Sequence, residues 1–321
     1  MDAKDTQTTR AIQSRFSALF SERFCLNEPM SRHTSSRLGG PAEMFVTVSS
    51  AAELQAAIEL AYSLRVPYFV MGGGSNILVA DDGVAGLVIL NKARNYSFRH
   101  NGVSVICAVE SGVNLSALAR QCISKGLGGL EWAVNVPGTV GGAIVGNAGA
   151  HGSDMKSNLV SAQVWAPDGV RMFSNRDLAF GYRTSLLKQE RKMTEGAPRV
   201  VLAADLQLRP EPVSVLEARA AAFTAHRKQT QPGGASLGSM FKNPEHYYAG
   251  YLIEAAGLKG LRCGGAHISE KHANFFLNDE NATAEDIRTL VAEAWHAVRD
   301  QFGVELEIEV ELVGKWRFDE A

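Results

Sequence analysis

The stretch MGGGSNILV, residues 71–79, places three consecutive glycines between two apolar runs and constrains the fold more than any other feature. Glycine loses more backbone entropy on folding than any other residue, so three in a row indicate that something lies very close to this backbone. Amide N–H groups without Cβ atoms nearby can converge on an anion such as a phosphate, and Ser75 and Asn76 follow with a hydroxyl and an amide. The alternative is a simple glycine-rich turn between two strands.

The spacing of these glycines excludes the Rossmann dinucleotide fingerprint. That motif needs G-x-G-x-x-G at the start of a helix. In this chain Ile77 stands where the third glycine belongs, and the run from Ile77 to Val79 is typical of a strand. If the loop binds an anion, it does so in another fold.

The composition predicts a folded protein with more than one domain. The chain has 321 residues, 45% of them hydrophobic, and a formal net charge of −2, which argues against disorder and against nucleic-acid binding through positive charge. No apolar run approaches the ~18–20 residues of a membrane span. The polar N-terminus lacks the apolar core of a signal peptide, so we expect no membrane insertion and a cytoplasmic location.

The cysteines and histidines do not indicate a metal site. The four cysteines form no C-x-x-C pair, and the eight histidines show no H-E-x-x-H spacing. We expect reduced thiols that mostly serve packing, and no metal.

Hydrophobic periodicity predicts an α+β fold, with helices and strands mixed along the chain. Ser50 and Thr283 are predicted to precede helices, the second with an apolar stripe from Ile287 to Phe302. Further predicted helices are 115–126 and 213–229, and predicted strands are 42–48, 66–70, 86–90, 103–109, 161–166 and 199–208. Residues 304–313 alternate between apolar residues and glutamates, as in a strand with one solvated face.

Pro210 and Pro212 interrupt this pattern and mark a predicted domain boundary. The predicted organisation is an N-terminal segment 1–31, a domain 32–210 with subdomains of about 32–92 and 93–210, and a C-terminal domain 211–321.

A second glycine-rich block, residues 129–152, holds seven glycines, and Pro137 fixes a turn within it. The block serves either tight packing of one backbone against another or contact with a ligand. Two such loops in one half of the chain are best explained together, as two walls around a long ligand with a diphosphate.

Three shorter patterns carry little weight alone. Arg183 in FGYRTSLLK has the character of a solvated surface residue, and Ser239 in SLGSMFKNP lies outside any G-x-S-x-G motif. Alternation in the last strand does not choose among its four glutamates.

Together these stretches resemble the UDP-N-acetylenolpyruvoylglucosamine reductase family. The matching segments, in the family's order, are RLGGPAEMFV, MGGGSNILV, GLEWAVNVPGTVGGAIVGNAGA, FGYRTSLLK, SLGSMFKNP, AGYLIEAAGLKG, GGAHISEKHANFFLN and LEIEVELVG. They run from about residue 32 to 314 and cover nearly the whole chain. The combination is specific, although each motif alone is not.

The resemblance implies a vanillyl-alcohol-oxidase-type (PCMH-type) FAD-binding fold for the N-terminal half and a smaller α+β substrate-binding domain for the C-terminal half. FAD would bind without a covalent bond, its pyrophosphate on the triple-glycine loop. The cofactor-binding residues implied are Met71, Gly72, Gly73, Gly74, Ser75, Asn76, Ile77, Pro137, Gly138, Thr139, Gly141, Gly142, Ala143, Asn147, Ala148 and Gly149.

The resemblance also implies a reaction. NADPH reduces the flavin, whose N5 then gives hydride to the methylene carbon of the enolpyruvyl group, and the product is UDP-N-acetylmuramate for peptidoglycan. Arg183 matches the family arginine that faces the substrate carboxylate, Glu309 the nearby glutamate, and Ser239 the serine that protonates the carbanion. Tyr182, Lys242 and Asn243 would bind the nucleotide-sugar substrate.

The chain differs from the usual sequence of the family at two places. The short stretch between Arg183 and Ser239 indicates the branch without the tyrosine-bearing loop that folds over the substrate diphosphate. The usual L-E-P-E-V reads L-E-I-E-V, with Ile308 in place of proline.

Two other functions remain open from sequence. An FAD-dependent sugar or lactone oxidase of the same fold would reduce O₂, and many such oxidases attach FAD through a histidine near the glycine loop. No histidine lies between residues 66 and 79. A non-catalytic nucleotide-sugar-binding protein would carry no flavin.

Overall fold

The computed structural model describes residues 3–193, 198–279 and 281–316. It divides into two compact units that interleave along the chain. Unit 1 comprises Met1–Asn27, Glu43–Gly72 and Gly86–Thr224, and unit 2 comprises Glu28–Ala42, Gly73–Ala85 and Ala225–Ala321. The contiguous boundaries expected from the sequence do not follow this interleaving, and as limits of functional domains they stay a prediction.

The described residues form eight α-helices, which are α1 Ala3–Phe20, α2 Ala51–Ser63, α3 Leu115–Ser124, α4 Val140–Gly146, α5 Leu186–Met193, α6 Val213–Thr230, α7 Ala249–Ala255 and α8 Ala284–Phe302. Polar caps fix two of the predicted starts. The Ser50 side chain accepts a hydrogen bond from the Glu53 N–H at α2, and Thr283 forms a capping box with Asp286 at α8. Both predictions are confirmed. No helix in the described ranges is long and apolar enough to cross a membrane.

The strands are β1 Phe24–Pro29, β2 Pro41–Val48, β3 Tyr68–Met71, β4 Ile77–Val79, β5 Val84–Asn91, β6 Tyr96–Asn101, β7 Ser104–Glu110, β8 Leu127–Gly128, β9 Gly149–Ala150, β10 Ser153–Asp154, β11 Leu159–Ala166, β12 Gly169–Ser174, β13 Val200–Pro210, β14 Ala235–Ser239, β15 Arg262–Cys263, β16 Ala266–Ile268, β17 Phe275–Asn278 and β18 Glu311–Val313. The mixture of helices and strands is the predicted α+β class.

Unit 1 is built on two sheets. One has the order β1-β2-β5-β3, with β3 parallel to β5, and α2 packs its buried face, including Leu54 and Ile58, into the same core as Leu87 and Ile89 of β5. The other has the order β12-β11-β13-β7-β6, is antiparallel, and shares a core with α3 and α4.

Cys107 and Cys122 are buried in that second core, as expected of packing residues. Burial raises the pKa of the Cys107 thiol to about 12 and also raises the pKa of Cys122. Both groups therefore stay neutral and serve packing.

Unit 2 contains the antiparallel sheet β14-β17-β16-β15 and the parallel pair β4-β18. The apolar stripe of α8, including Ile287, Leu290 and Val298, packs into the same core as Phe276 of β17. Phe302 lies outside that stripe, since it is 41% exposed.

Two sequence-based elements differ from the structure. Strand β13 extends to Pro210, which is its last residue and pairs with Leu127. The proline is therefore part of the strand and does not lie beyond it. The predicted last strand shrinks to Glu311–Val313 plus a single bridge between Ile308 and Phe241, because its main chain changes partners along its length. Leu306 and Val310 are buried, but Ile308 is half-buried like Glu309, so the expected alternation of burial holds only in part.

Candidate active site

Two of the three consecutive glycines are required by the protein itself. Gly74 has φ +59, and a Cβ on it would lie 2.0 Å from the His33 carbonyl oxygen. A Cβ on Gly72 would lie 2.3 Å from Thr139 Oγ1. This finding corrects the expectation that the close approach of a ligand accounts for the glycines.

The same loop nevertheless offers unused hydrogen-bond donors. The backbone N–H groups of Gly73, Gly74 and Ser75 donate no hydrogen bond to any residue that the structure describes. Gly73 is exposed and Ser75 half-buried. Adjacent amides of this kind fit the oxygens of a diphosphate. Contacts within the protein therefore explain Gly72 and Gly74, and the role of Gly73 in binding a ligand stays a prediction.

The residues flanking the glycines have defined internal roles. Met71 and Ile77 are buried, and their contact with a cofactor stays a prediction. The Asn76 side chain donates to the Glu309 carbonyl oxygen (3.2 Å), and the Asn76 carbonyl accepts from the Glu311 N–H (3.0 Å). Asn76 thus fixes the chain segment that carries Glu309.

The second glycine-rich block contains both closely packed and exposed glycines. A Cβ on Gly141 would lie 2.9 Å from Ser111 Cβ, so this glycine permits α4 to pack closely. Gly142 is exposed and meets only the Thr139 side chain, which caps α4. Pro137 is exposed beside it, Gly138 is half-buried, and Ala143 is buried. Close packing therefore explains Gly141, while ligand contact at the exposed positions stays a prediction.

Asn147 ends α4 in the left-handed conformation, with φ 42, and is buried. Its Nδ2 donates to Asp154 Oδ2 (3.1 Å) and to the Gly181 carbonyl (2.9 Å), and its Oδ1 accepts from the Lys156 N–H (3.0 Å). Both of its side-chain N–H groups are used within the protein. A direct side-chain bond from this amide to a cofactor is therefore disfavoured, and the residue instead fixes the loops around it.

The hairpin after α4 explains two further predicted positions. A Cβ on Gly149 would lie 2.7 Å from the Ser153 carbonyl oxygen, so glycine is needed where β9 and β10 pair. Ala148 is half-buried and donates from its N–H to the Ala143 carbonyl (2.9 Å).

Arg183 is held beside this hairpin. It has φ +54, and its Nη2 donates to the Gly149 carbonyl oxygen (2.9 Å). Its guanidinium carbon lies 5.2 Å from the centre of the Tyr182 ring, which is 54% exposed. Hydrogen bonds between Gly181 and Thr184 close the turn that carries it. An arginine with a fixed planar fork suits recognition of a carboxylate.

In unit 2, Ser239 and Glu309 lie on adjoining pieces of main chain. Ser239 ends β14 at an irregularity of its pairing with β17, directly after Gly238 with φ +79. The Glu309 N–H donates to the Met240 carbonyl oxygen (2.8 Å), and Phe241 forms a bridge with Ile308. The structure thus brings together two of the predicted catalytic residues.

The four glutamates of the last segment differ in their surroundings. Glu307 forms an ion pair with Lys242 (2.8 Å), and its side chain is 57% exposed. Glu309 is half-buried, whereas Glu305 is exposed. The neighbouring loop contacts both segments, with Lys242 pairing with Glu307 and the Met240 carbonyl accepting from the Glu309 N–H, and the choice of Glu309 as the catalytic glutamate stays a prediction.

Lys242 and Asn243 both make contacts inside unit 2. The Lys242 side chain is only 13% exposed and lies on Glu307. The Asn243 Oδ1 accepts from the Ala249 N–H at the start of α7 (3.1 Å). Both residues therefore hold the loop after Ser239, and their contact with substrate stays a prediction.

Sequence reasoning missed two buried or paired polar groups that hold these loops. Asp154 accepts from Asn147 and from Ser157, and Asn274 bonds the main chain of Phe241. Asn274 directly precedes the apolar run of β17, and a polar residue at such a place is the signal that could have found it. Among the described residues no group of three or more His, Cys, Asp or Glu side chains could hold a metal ion.

Two family models match the chain. Residues 42–172 match an FAD binding domain, and residues 229–313 match the UDP-N-acetylenolpyruvoylglucosamine reductase C-terminal domain. The predicted α+β organisation, with an FAD-binding domain of the vanillyl-alcohol-oxidase type followed by a smaller domain, is confirmed.

Curated relatives cover nearly the whole chain. The UDP-N-acetylenolpyruvoylglucosamine reductase of Chloroflexus aggregans is 42% identical over 89% of this chain and 96% of that protein. The Bacillus subtilis protein of the same name is 39% identical over 90% of this chain and 93% of its own length.

A solved structure agrees with these relatives. The crystal structure of the UDP-N-acetylenolpyruvylglucosamine reductase from Thermus caldophilus aligns with a TM-score of 0.76 at 34% identity, over 90% of this chain and 98% of that one. With identity well above 30% over nine-tenths of its length, this chain belongs to the UDP-N-acetylenolpyruvoylglucosamine reductase family.

Proposed function

We propose that this chain reduces the enolpyruvyl group of UDP-N-acetylenolpyruvoylglucosamine to form UDP-N-acetylmuramate, a step of peptidoglycan synthesis. The observation that carries the proposal is that an FAD binding domain and the reductase-specific C-terminal domain match one chain, over nearly the full length of its relatives. NADPH is the proposed reductant. A cytoplasmic location forms part of the proposal, since NADPH and nucleotide sugars are cytoplasmic compounds.

FAD is proposed to bind without a covalent bond, with its diphosphate on the amides of Gly73, Gly74 and Ser75. The unused donors of this loop support that assignment, because phosphate oxygens require hydrogen-bond donors and Gly73 is exposed. The exposed residues Pro137 and Gly142 are proposed to contact the cofactor as well, as the family resemblance implies.

When bound, FAD supplies the hydride transfer that no protein side chain can perform. The overall reaction adds a hydride to the methylene carbon of the substrate and a proton to the adjacent carbon, while NADPH becomes NADP⁺. Between the two additions, negative charge develops on the substrate carboxylate. Preorganised cations and donors aimed at that charge are the expected protein contribution.

Three side chains are proposed to make this contribution. Arg183, fixed by its bond to the Gly149 carbonyl, faces the substrate carboxylate. Ser239 donates its hydroxyl proton to the carbon, a general-acid role worth typically ~10²–10⁴-fold. Glu309, on the chain segment adjoining the Ser239 loop, lies near the carboxylate and acts in its protonated form or through a shared proton. Tyr182, Lys242 and Asn243 are proposed to bind or shape the substrate site.

An anaerobic two-step assay tests the proposal. The purified protein should show a flavin spectrum, lose it on addition of NADPH, and regain it when UDP-N-acetylenolpyruvoylglucosamine is added. Mass spectrometry should find a product two hydrogens heavier than the substrate. Reoxidation by air alone, with no response to the substrate, would contradict the proposal and favour an oxidase. Absence of flavin after reconstitution would favour a simple binding protein.

A further inference from the structure

The loop that follows Ser239 is held by a buried asparagine from the neighbouring strand. Asn274 is 2% exposed and directly precedes β17. Its Oδ1 accepts from the Phe241 N–H (2.9 Å), its Nδ2 donates to the Phe241 carbonyl (2.8 Å), and its own carbonyl accepts from the Met240 N–H (2.8 Å). We call these three hydrogen bonds the Asn274 clamp.

The clamp lies next to the point where the pairing between β14 and β17 becomes irregular and ends. Between Ser236 and Ser239 the register of β14 against β17 shifts, and Gly238 adopts φ +79. Ser239 is opposite Phe275, and no further β14 residue pairs with β17 beyond it. The Asn274 side chain then supplies the donor and acceptor that a strand would have offered to Phe241.

The loop is also held from its other side. The Met240 carbonyl accepts from the Glu309 N–H, and the Lys242 N–H donates to the Glu307 carbonyl (2.8 Å each). Met240 and Phe241 are almost fully buried between these partners. The residue after Ser239 is therefore fixed from two directions, by Asn274 and by the segment that carries Glu309.

The support of Asn274 itself is equally specific. Its N–H donates to His272 Nδ1 (3.2 Å), and the His272 ring packs edge-on against Phe275 at 4.9 Å between ring centres. The clamp is thus part of a packed network in which each polar group of the Asn274 amide side chain has a partner.

We propose that Asn274 is a positioning residue that sets the direction of the Ser239 hydroxyl for proton transfer, an inference that rests on the function proposed above. Reacting groups must be held near the productive geometry, and an error of about 1 Å can cost ~10²-fold in rate. Loss of the two side-chain bonds of the clamp would let Phe241 shift and Met240 with it, and Ser239 is covalently joined to Met240. Hydride transfer from NADPH to the flavin does not need that hydroxyl.

The test separates the two half-reactions in wild type, in three single variants and in a further pair that carries Ser239→Ala. Asn274→Asp keeps the acceptor for the Phe241 N–H and removes the donor to its carbonyl, and Asn274→Ser removes both without adding charge. Asn278→Ala is the matched control. This asparagine lies at the other end of β17, where it bonds the Ser36 carbonyl and the Ala282 N–H and has no bond to the Ser239 loop. Flavin content and Tm are measured for all of these proteins.

We expect the Asn274 variants to reduce FAD with NADPH within about 2-fold of wild type, but to be reoxidised by the enolpyruvyl substrate ~10–100-fold more slowly. Asn278→Ala should show near-normal rates in both steps, even if its Tm falls. In a Ser239→Ala background, Asn274→Ser should slow reoxidation little further, because two residues acting on one step are not additive.

Three results would overturn the proposal. Asn274 would have a purely structural role if Asn274→Ser were reoxidised at the wild-type rate, or if both half-reactions slowed equally. The same conclusion would follow if the reoxidation rate of the double variant fell by the product of the two single-variant factors. Failure of wild type to be reoxidised by the substrate would instead overturn the proposed function, and the positioning role with it. Asn274→Ser keeps the test possible if the charged Asn274→Asp variant fails to fold.

Discussion

The triple-glycine loop yields the sharpest prediction, because its glycines are required for different reasons. Gly74→Ala places a Cβ 2.0 Å from the His33 carbonyl and forces a left-handed conformation on a side-chain-bearing residue. The conformation costs ~1–2 kcal/mol and the overpacking ~1–3 kcal/mol. We expect a free energy of unfolding lower by about 2–5 kcal/mol, with a Tm lower by on the order of 10 °C.

Gly73→Val should behave in the opposite way. Gly73 is exposed and is not among the positive-φ positions, so the fold should tolerate a side chain there, with a stability change of about 0.5 kcal/mol or less. Its Cβ branches would instead separate the loop amides from the diphosphate. A hydrogen bond to a charged group contributes ~1.5–3 kcal/mol, so FAD affinity should fall at least ~10-fold, with cofactor lost on purification.

The assay measures Tm of the FAD-free proteins at one scan rate, and FAD affinity by flavin fluorescence titration. Measuring stability without FAD is necessary because a bound ligand raises the apparent stability of the folded state by mass action. Stoichiometric FAD in a well-folded Gly73→Val protein would refute the diphosphate assignment. Wild-type stability of FAD-free Gly74→Ala would refute the steric explanation for that glycine.

Three further predictions concern single carboxylates. Glu309→Gln should lower the steady-state rate of substrate reduction steeply, whereas the main effect of Glu307→Gln should be loss of the ion pair with Lys242. An inactive Glu307→Gln variant together with an active Glu309→Gln variant would reverse the two assignments. Asp81→Asn should lower the free energy of unfolding by ~1–2 kcal/mol, because the Asp81 carboxylate accepts hydrogen bonds from the first two amides of α8 (2.9 and 3.0 Å). Denaturant titration measures this change, and an unchanged unfolding midpoint would contradict it. The hydrogen bond from Arg23 lowers the pKa of Glu53 from 4.5 to about 2, so its stabilisation is present above pH ~4.5 and is lost as the pH falls toward 2. The Tm gap between wild type and Glu53→Gln should therefore narrow from pH 5 to pH 3, and a constant gap would exclude this linkage.

Local sequence signals predicted much of the fold. Ser50 and Thr283 cap helices through bonds to residues three positions later, which is a short-range pattern that sequence carries directly. The strand Ile77–Val79 followed from a short apolar run, and the buried stripe of α8 followed from helical periodicity, for the same reason. The interleaving of the two units depends on contacts distant in sequence, and no local pattern indicated it.

The same limit applies to the candidate site. The glycines were visible in the sequence, but the reason for Gly72 is a threonine far along the chain and the reason for Gly74 is a carbonyl of His33. The four glutamates were equivalent by alternation, and the contacts of Glu307 with Lys242 and of Glu309 with Met240 join segments that are distant in sequence. Asn274 escaped notice because its bonds to Phe241 join segments that no sequence spacing relates.

Ser239 is proposed to deliver the proton that completes substrate reduction, and anaerobic stopped-flow measurement of Ser239→Ala tests this role. We expect NADPH to reduce the flavin of this variant at nearly the wild-type rate, while reoxidation by UDP-N-acetylenolpyruvoylglucosamine slows by ~10²–10⁴-fold. Equal slowing of both half-reactions, or reoxidation at the wild-type rate, would contradict the claim and place the proton donor elsewhere.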